Sequence, residues 1–148
     1  MKKQTISSEH LSIILATAYT LHLNTQKFHW NISGSNFHPL HQLSETLYRE
    51  LAENIDQLAE RIRTCGYEAP ASFPEFEKMT KIKTSLILNK NADEVIAQLL
   101  KNWEIFVEVI KESIEAIKKT DDEGTLAFLT DIVQSHEKNY WLIQSHLS

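Results

Sequence analysis

The sequence predicts an all-α chain, a bundle of four long helices with one long connection, and three observations carry that reading. Glycine and proline are scarce, three of each in 148 residues, against average usage of roughly 7% and 5%. All six fall at Gly34, Pro39, Gly66, Pro70, Pro74 and Gly124, which leaves long uninterrupted segments. Within those segments apolar residues recur at three- and four-residue spacing, the mark of one buried helix face. A β-sandwich, a dinucleotide-binding sheet or a phosphate-cradling loop needs glycine where this chain has none, so those classes drop out.

Helix A is expected over about 8 to 33, on the stripe Leu11, Ile14, Leu15, Ala18, Leu21, Thr25, Phe28 and Ile32. Gly34 is placed as its C′ residue, and Pro39 suits the first turn of helix B, where its missing N–H costs nothing. Helix B is expected over about 39 to 65, with Leu43, Leu47, Leu51, Ile55, Leu58 and Ile62 inward and Gly66 closing it. From Tyr67 to Lys90 no period is sustained. Pro70, Pro74, Phe73, Phe76 and Ile82 mark a crossover with a short helix near about 74 to 80. Asn91 followed by Glu94 resembles a capping box and opens helix C, about 92 to 119, on Ile96, Leu99, Leu100, Trp103, Val107, Ile110, Ile114 and Ile117. Thr120 to Gly124 is read as a turn. Helix D follows over about 125 to 147, with Phe128, Leu129, Ile132, Val133, Tyr140, Ile143 and Leu147 inward. Two tight connections and one long B–C crossover match the ferritin-like topology, whereas an up-and-down bundle uses three short loops.

Composition narrows the function. With 42% apolar and 24% charged residues, the chain supplies one core, and a single domain over 1–148 is expected. No apolar run reaches membrane-span length and Met1 to Glu9 has no apolar signal core, so a cytoplasmic protein without a membrane partner is expected. Cys65, the single cysteine, excludes an internal disulfide or a multi-cysteine zinc site and is read as a structural thiol. Fifteen basic against 20 acidic residues give a net charge of −5, so no global field draws nucleic acid.

The chemistry lies between Phe28-His29-Trp30-Asn31 and Asp56-Gln57-Leu58-Ala59-Glu60-Arg61. At 100° per residue from His41, Glu45 falls at about 40°, Asp56 at about 60° and Glu60 at about 100°, so the four share a face of helix B. The core stripe lies on the opposite side. A site on that outward face needs a cover. Tyr19, Leu23 and Trp30 also point outward from helix A, which suggests burial against another subunit. A dimer joining these faces could bring His29 and His41 of one chain to Asp56 and Glu60 of the other. Imidazole with carboxylates and no thiolate suits iron, manganese or zinc, and redox chemistry selects iron: one tight Fe²⁺ and a weaker second, giving two electrons together. The Glu-x-x-His pair of ordinary di-iron bundles is absent from the chain.

The chain resembles the Dps family of mini-ferritins over nearly its whole length. His29-Trp30-Asn31, Gly34, Phe37, Leu40-His41 and Asp56-x-x-Ala59-Glu60-Arg61-Ile62 carry the resemblance, and Trp141 in the last helix fits it. The resemblance implies a dodecameric shell of four-helix subunits that oxidises Fe²⁺, preferably with hydrogen peroxide, and stores the ferric product in its cavity. His29, His41, Asp56 and Glu60 would then be the catalytic metal ligands at the two-fold interface, holding two irons per site. Glu45 stands where the family often has Asp, as a ligand or a support, and Trp30 would sit beside the iron and absorb a stray oxidising equivalent. Asp121, Asp122, Glu123 and Asp131 are candidates to line an acidic three-fold pore for cations, against the plainer reading that they favour a helix N-terminus.

Family members that bind DNA use basic tails, and only Lys2 and Lys3 precede helix A, so strong DNA binding at physiological salt is not expected. His22, one heptad before His29, is read as a core-edge residue. Two alternatives stay open: a structural shell coating DNA or engaging an external receptor, and a zinc or manganese buffer using the same ligands.

Overall fold

The computed structural model describes residues 5–147. Its helices are α1 (Ile6–Asn31), α2 (Phe37–Thr64), the short α3 (Phe73–Met79), α4 (Ala92–Ile117) and α5 (Glu123–Gln144), with no strand among the described residues. The all-α, ferritin-like bundle with a helix in its crossover is therefore the fold, and helix ends differ from expectation by a few residues. Lys2 and Lys3, on which the basic-tail argument rested, lie outside the described residues.

Three of the differing ends have a clear local cause. α1 begins at Ile6 because Thr5 and Ser8 form a reciprocal capping box, Thr5 Oγ1 accepting from the Ser8 amide at 3.2 Å and Ser8 Oγ from the Thr5 amide at 3.1 Å. Serine at the third position hides this box from a search for Glu or Gln. The C-cap of α1 is Ile32, so Gly34 sits two residues beyond it, using its φ of 109° in the α1–α2 turn. Gly66 does serve as C′ of α2 at φ 91°. Its amide donates to Arg63 O at 2.9 Å while the Tyr67 amide donates to Ile62 O at 3.3 Å, the two bonds of a Schellman motif. Asn91 caps α4 by accepting from the Glu94 amide at 2.9 Å. Asp122 caps α5 by accepting from the Thr125 amide at 3.1 Å. The turn read through Gly124 thus ends earlier, and Gly124 lies inside α5.

α1 is the hub, packing on α2, α4 and α3, and α4 packs on α5. The α1 stripe expected from the sequence is buried throughout, as are Leu47, Leu51, Leu58 and Ile62 of α2, while Leu43 and Ile55 are half-buried. Trp103 and Phe106 of α4 are fully buried at the centre. The crossover is tied over α1 by Thr20–Thr80 at 2.8 Å and by Asn24, which donates to Thr84 O at 3.1 Å and Asn102 Oδ1 at 2.7 Å.

The bundle interior also encloses polar side chains that the apolar periodicity missed. His136 and Asn139 of α5 face inward. Trp103 Nε1–H can only donate, so His136 Nδ1 accepts it at 3.3 Å, and His136 Nε2–H donates to Asn54 Oδ1 at 2.6 Å. Asn139 Nδ2 donates to Glu50 Oε2 at 2.6 Å, and Ser135 Oγ donates to Glu50 Oε1. Burial pushes His136 down to about 4, against the attraction of Glu50, so the ring is neutral. No buried side-chain polar atom among the described residues lacks a partner, so this interior is closed and satisfied.

Candidate metal centre

Two helix ends build the histidine half of the site. His29 lies in the last turn of α1, where backbone carbonyls have no partner within the helix. His41, near the start of α2, donates its Nδ1–H to His29 O at 2.9 Å, and His29 Nδ1–H donates to His41 O at 2.8 Å. A carbonyl only accepts, so both rings carry their proton on Nδ1 and keep the Nε2 lone pair for a metal. Ser44 Oγ stands 3.1 Å from His29 Nδ1 and itself donates to Leu40 O at 2.8 Å. The two imidazoles stack with centroids 3.7 Å apart, Phe37 stacking on His41 at 4.8 Å and Tyr48 meeting His29 edge-on at 5.2 Å. His29 is buried and His41 half-buried.

The carboxylate half lies elsewhere on the same helix. Fifteen residues separate His41 from Asp56 in continuous α2, about 22 Å at 1.5 Å per residue. Asp56 and Glu60 are both exposed. Asp56 borders a cavity of about 650 Å³ with Tyr19, Ala52, Phe73 and Phe76. Glu45 is half-buried and pairs with Arg49 at 3.3 Å. One chain therefore brings His29 and His41 together but not these two with Asp56 and Glu60, and no group of three or more ligating side chains occurs among the described residues.

The outward face is strongly apolar. Leu23, Trp30 and Phe73 are 56%, 62% and 81% exposed, and Tyr19, Leu23, Trp30, Phe73 and Phe76 line a groove of about 840 Å³ between α1 and α3. Tyr48, which sequence reading did not single out, is a second ring beside the two histidines, and Trp30 points away from the core of the chain. His22 is half-buried as expected, its Nδ1 bonded to Tyr48 O at 3.0 Å. Burial lowers its pKa against that bond. Cys65 is half-buried beside Thr125 at 3.9 Å.

Of the candidate pore residues, Asp121, Glu123 and Asp131 are exposed. Asp122 is engaged within the chain: it caps α5, accepts from Thr125 Oγ1 at 2.7 Å and pairs with Arg61 at 3.2 Å. Burial acts to raise its pKa, but hydrogen bonds from Ser7 and Thr125 and the charge of Arg61 outweigh it and hold the carboxyl below the usual range.

Comparison with known proteins identifies the family of this fold. The ferritin-like domain family matches residues 8–148. The DNA protection during starvation protein 2 of Bacillus anthracis is 30% identical over 148 residues, 100% of this chain and 99% of its own length. The crystal structure of a Dps protein from Bacillus brevis superposes with a TM-score of 0.91 at 27% identity, covering 99% of this chain and 100% of that one. The Dps protein of Vibrio cholerae, described as a member of a broad superfamily of ferritin-like di-iron-carboxylate proteins, superposes with a TM-score of 0.86 at 29% identity, covering 94% of this chain and 87% of that one. With its helices, long crossover and histidine pair in place, the chain belongs to the Dps mini-ferritins of the ferritin-like family.

Proposed function

We propose that this protein is a ferroxidase and iron store whose sites form only between subunits, with His29 and His41 of one copy meeting Asp56 and Glu60 of a second. The observation that carries the reading is the division of α2: a preorganised pair of Nε2 lone pairs near one end, two exposed carboxylates about 22 Å away on the same face, and an apolar surface between and beside them. A two-fold, antiparallel approach of two such faces satisfies both halves twice, since an isologous contact pairs i with j and j with i. The chemistry of the donor set favours iron, and membership of a family with a di-iron-carboxylate relative supports it.

In this reading Fe²⁺ is the substrate. His29 and His41 bind it through Nε2, and Asp56 and Glu60 neutralise its charge and that of the ferric product. Glu45, already within reach of Arg49, supports the second, weaker iron. Two Fe²⁺ held together deliver two electrons to hydrogen peroxide, which with two protons leaves as two waters, so no hydroxyl radical escapes. Copies assemble as a dodecameric shell that stores the ferric product, with Asp121, Glu123 and Asp131 the acids free to line a cation route. The protein acts in the cytoplasm, where it limits oxidative damage, and it binds DNA weakly or not at all, in line with its net charge of −5.

Rapid mixing of anaerobic Fe²⁺-loaded protein with peroxide tests this. Fast oxidation, little trapped radical and ferric iron co-eluting with a large particle are expected of the wild type, and slow oxidation with abundant radical of His29→Ala and Asp56→Ala. Equal rates in all three would overturn the assignment.

A further inference from the structure

We infer that Tyr48 is a redox-active partner of the histidine pair, supplying the second electron when a site holds a single Fe²⁺. This rests on the ferroxidase reading above and deepens it. Tyr48 is the oxidisable ring in contact with a proposed ligand: its edge meets His29 with centroids 5.2 Å apart at 75°, and His29 stacks on His41 at 3.7 Å. Tyr48 also touches His22, centroids 5.8 Å apart, and its backbone carbonyl accepts from His22 Nδ1 at 3.0 Å. The phenol is thus held from α1 on both sides. Oxidising a phenol requires its proton to leave with the electron. The Tyr48 hydroxyl has no hydrogen-bond partner among the described residues, and none of the buried polar side-chain atoms there is unpartnered, so this hydroxyl is not sealed inside the chain and its proton passes to water held at the site. Trp30, by contrast, is 62% exposed and makes no ring contact with either histidine.

The step balances. Peroxide takes one electron from Fe²⁺ and one electron from Tyr48, the O–O bond breaks, and with the phenol proton and one proton from solvent the two oxygens leave as two waters. The products are Fe³⁺ and a neutral Tyr48 radical. A second Fe²⁺ arriving later returns one electron to the radical, which takes up one proton, and becomes Fe³⁺. A site with one tight and one weak iron position thereby avoids releasing hydroxyl radical while half-loaded.

The test loads the assembled protein anaerobically with about one Fe²⁺ per site, adds one equivalent of peroxide and freezes the sample for electron paramagnetic resonance, with hydroxyl radical trapped in parallel. A tyrosyl signal in the wild type and in Trp30→Phe, its loss in Tyr48→Phe, and a rise in trapped hydroxyl radical in Tyr48→Phe alone are expected. A tyrosyl signal surviving in Tyr48→Phe, or an indole signal lost in Trp30→Phe, would overturn the inference. The wild type loaded with about two Fe²⁺ per site separates the two proposals: rapid oxidation there without any tyrosyl signal at single loading sinks this one only, while slow oxidation there sinks the ferroxidase reading.

Discussion

In the proposed site, the reciprocal bonds between His29 and His41 are how single residues would prepare it before any metal arrives. Each ring satisfies a backbone carbonyl near a helix terminus, and the same contact fixes the tautomer that ligation needs. Removing one ring therefore frees the other to turn. We expect His41→Ala to reduce Fe²⁺ affinity by more than the loss of one ligand, measurable by anaerobic titration, with Tyr48 and Phe37 left to collapse on the gap. A separate single-residue effect concerns pH. His136 is held at about 4 in the fold against 6.5 unfolded, so below pH 6.5 the unfolded chain takes up a proton that the folded chain refuses. Stability from this residue is full above about pH 6.5, falls through the window down to about pH 4, and levels off below, a loss of about 3 kcal/mol. Denaturant midpoints across that window check the slope, and His136→Gln should flatten it.

At the scale of elements, the helix ends repeat a small set of devices whose removal has calculable effects. Asp122 does two jobs, capping α5 and holding Arg61 of α2. Asp122→Ala should cost about 1–2 kcal/mol in chemical denaturation, at the upper range for a cap because the Arg61 pairing is lost as well. Gly124 stands where a Cβ would come 2.7 Å from Arg61 Nη2. Gly124→Ala should displace the guanidinium and reproduce part of that loss, although alanine is the better helix former by about 1 kcal/mol; a double variant that is no worse than Asp122→Ala alone would confirm the shared origin. The elements themselves were legible because apolar periodicity records burial directly: the stripe from Leu11 to Ile32 and the α2 stripe are where expected. What was not legible is polar. His136 and Asn139 break the apolar period of α5 yet face inward, because Trp103, Asn54 and Glu50 satisfy them. The Thr5–Ser8 box lacks the acidic partner by which such boxes are recognised.

For the whole molecule, the proposed function makes one chain an incomplete unit. Its core is closed and the buried polar side chains among the described residues are satisfied, yet its outer face carries exposed Leu23 and Trp30 of α1 and Phe73 of α3, beside the two separated halves of the proposed ligand set. The wheel argument reached the outward stripe because angle around a helix follows from residue number alone. The separation of about 22 Å between the halves also follows from residue number once α2 is continuous, but that Tyr48 abuts His29 does not, since it depends on how the neighbouring helix packs. Phe73→Asp should weaken association of copies and, with it, iron oxidation, an effect visible as smaller particles in sedimentation while the helical signal of each chain is retained. The central claim is that no single chain owns a site. Its most direct test is to mix two inactive chains, His29→Ala/His41→Ala and Asp56→Ala/Glu60→Ala, by co-assembly and to measure Fe²⁺ oxidation by peroxide. Recovered activity in the mixed assembly, from histidines of one chain meeting carboxylates of the other, is the predicted result; a mixture as inactive as either parent, despite confirmed co-assembly, would contradict it.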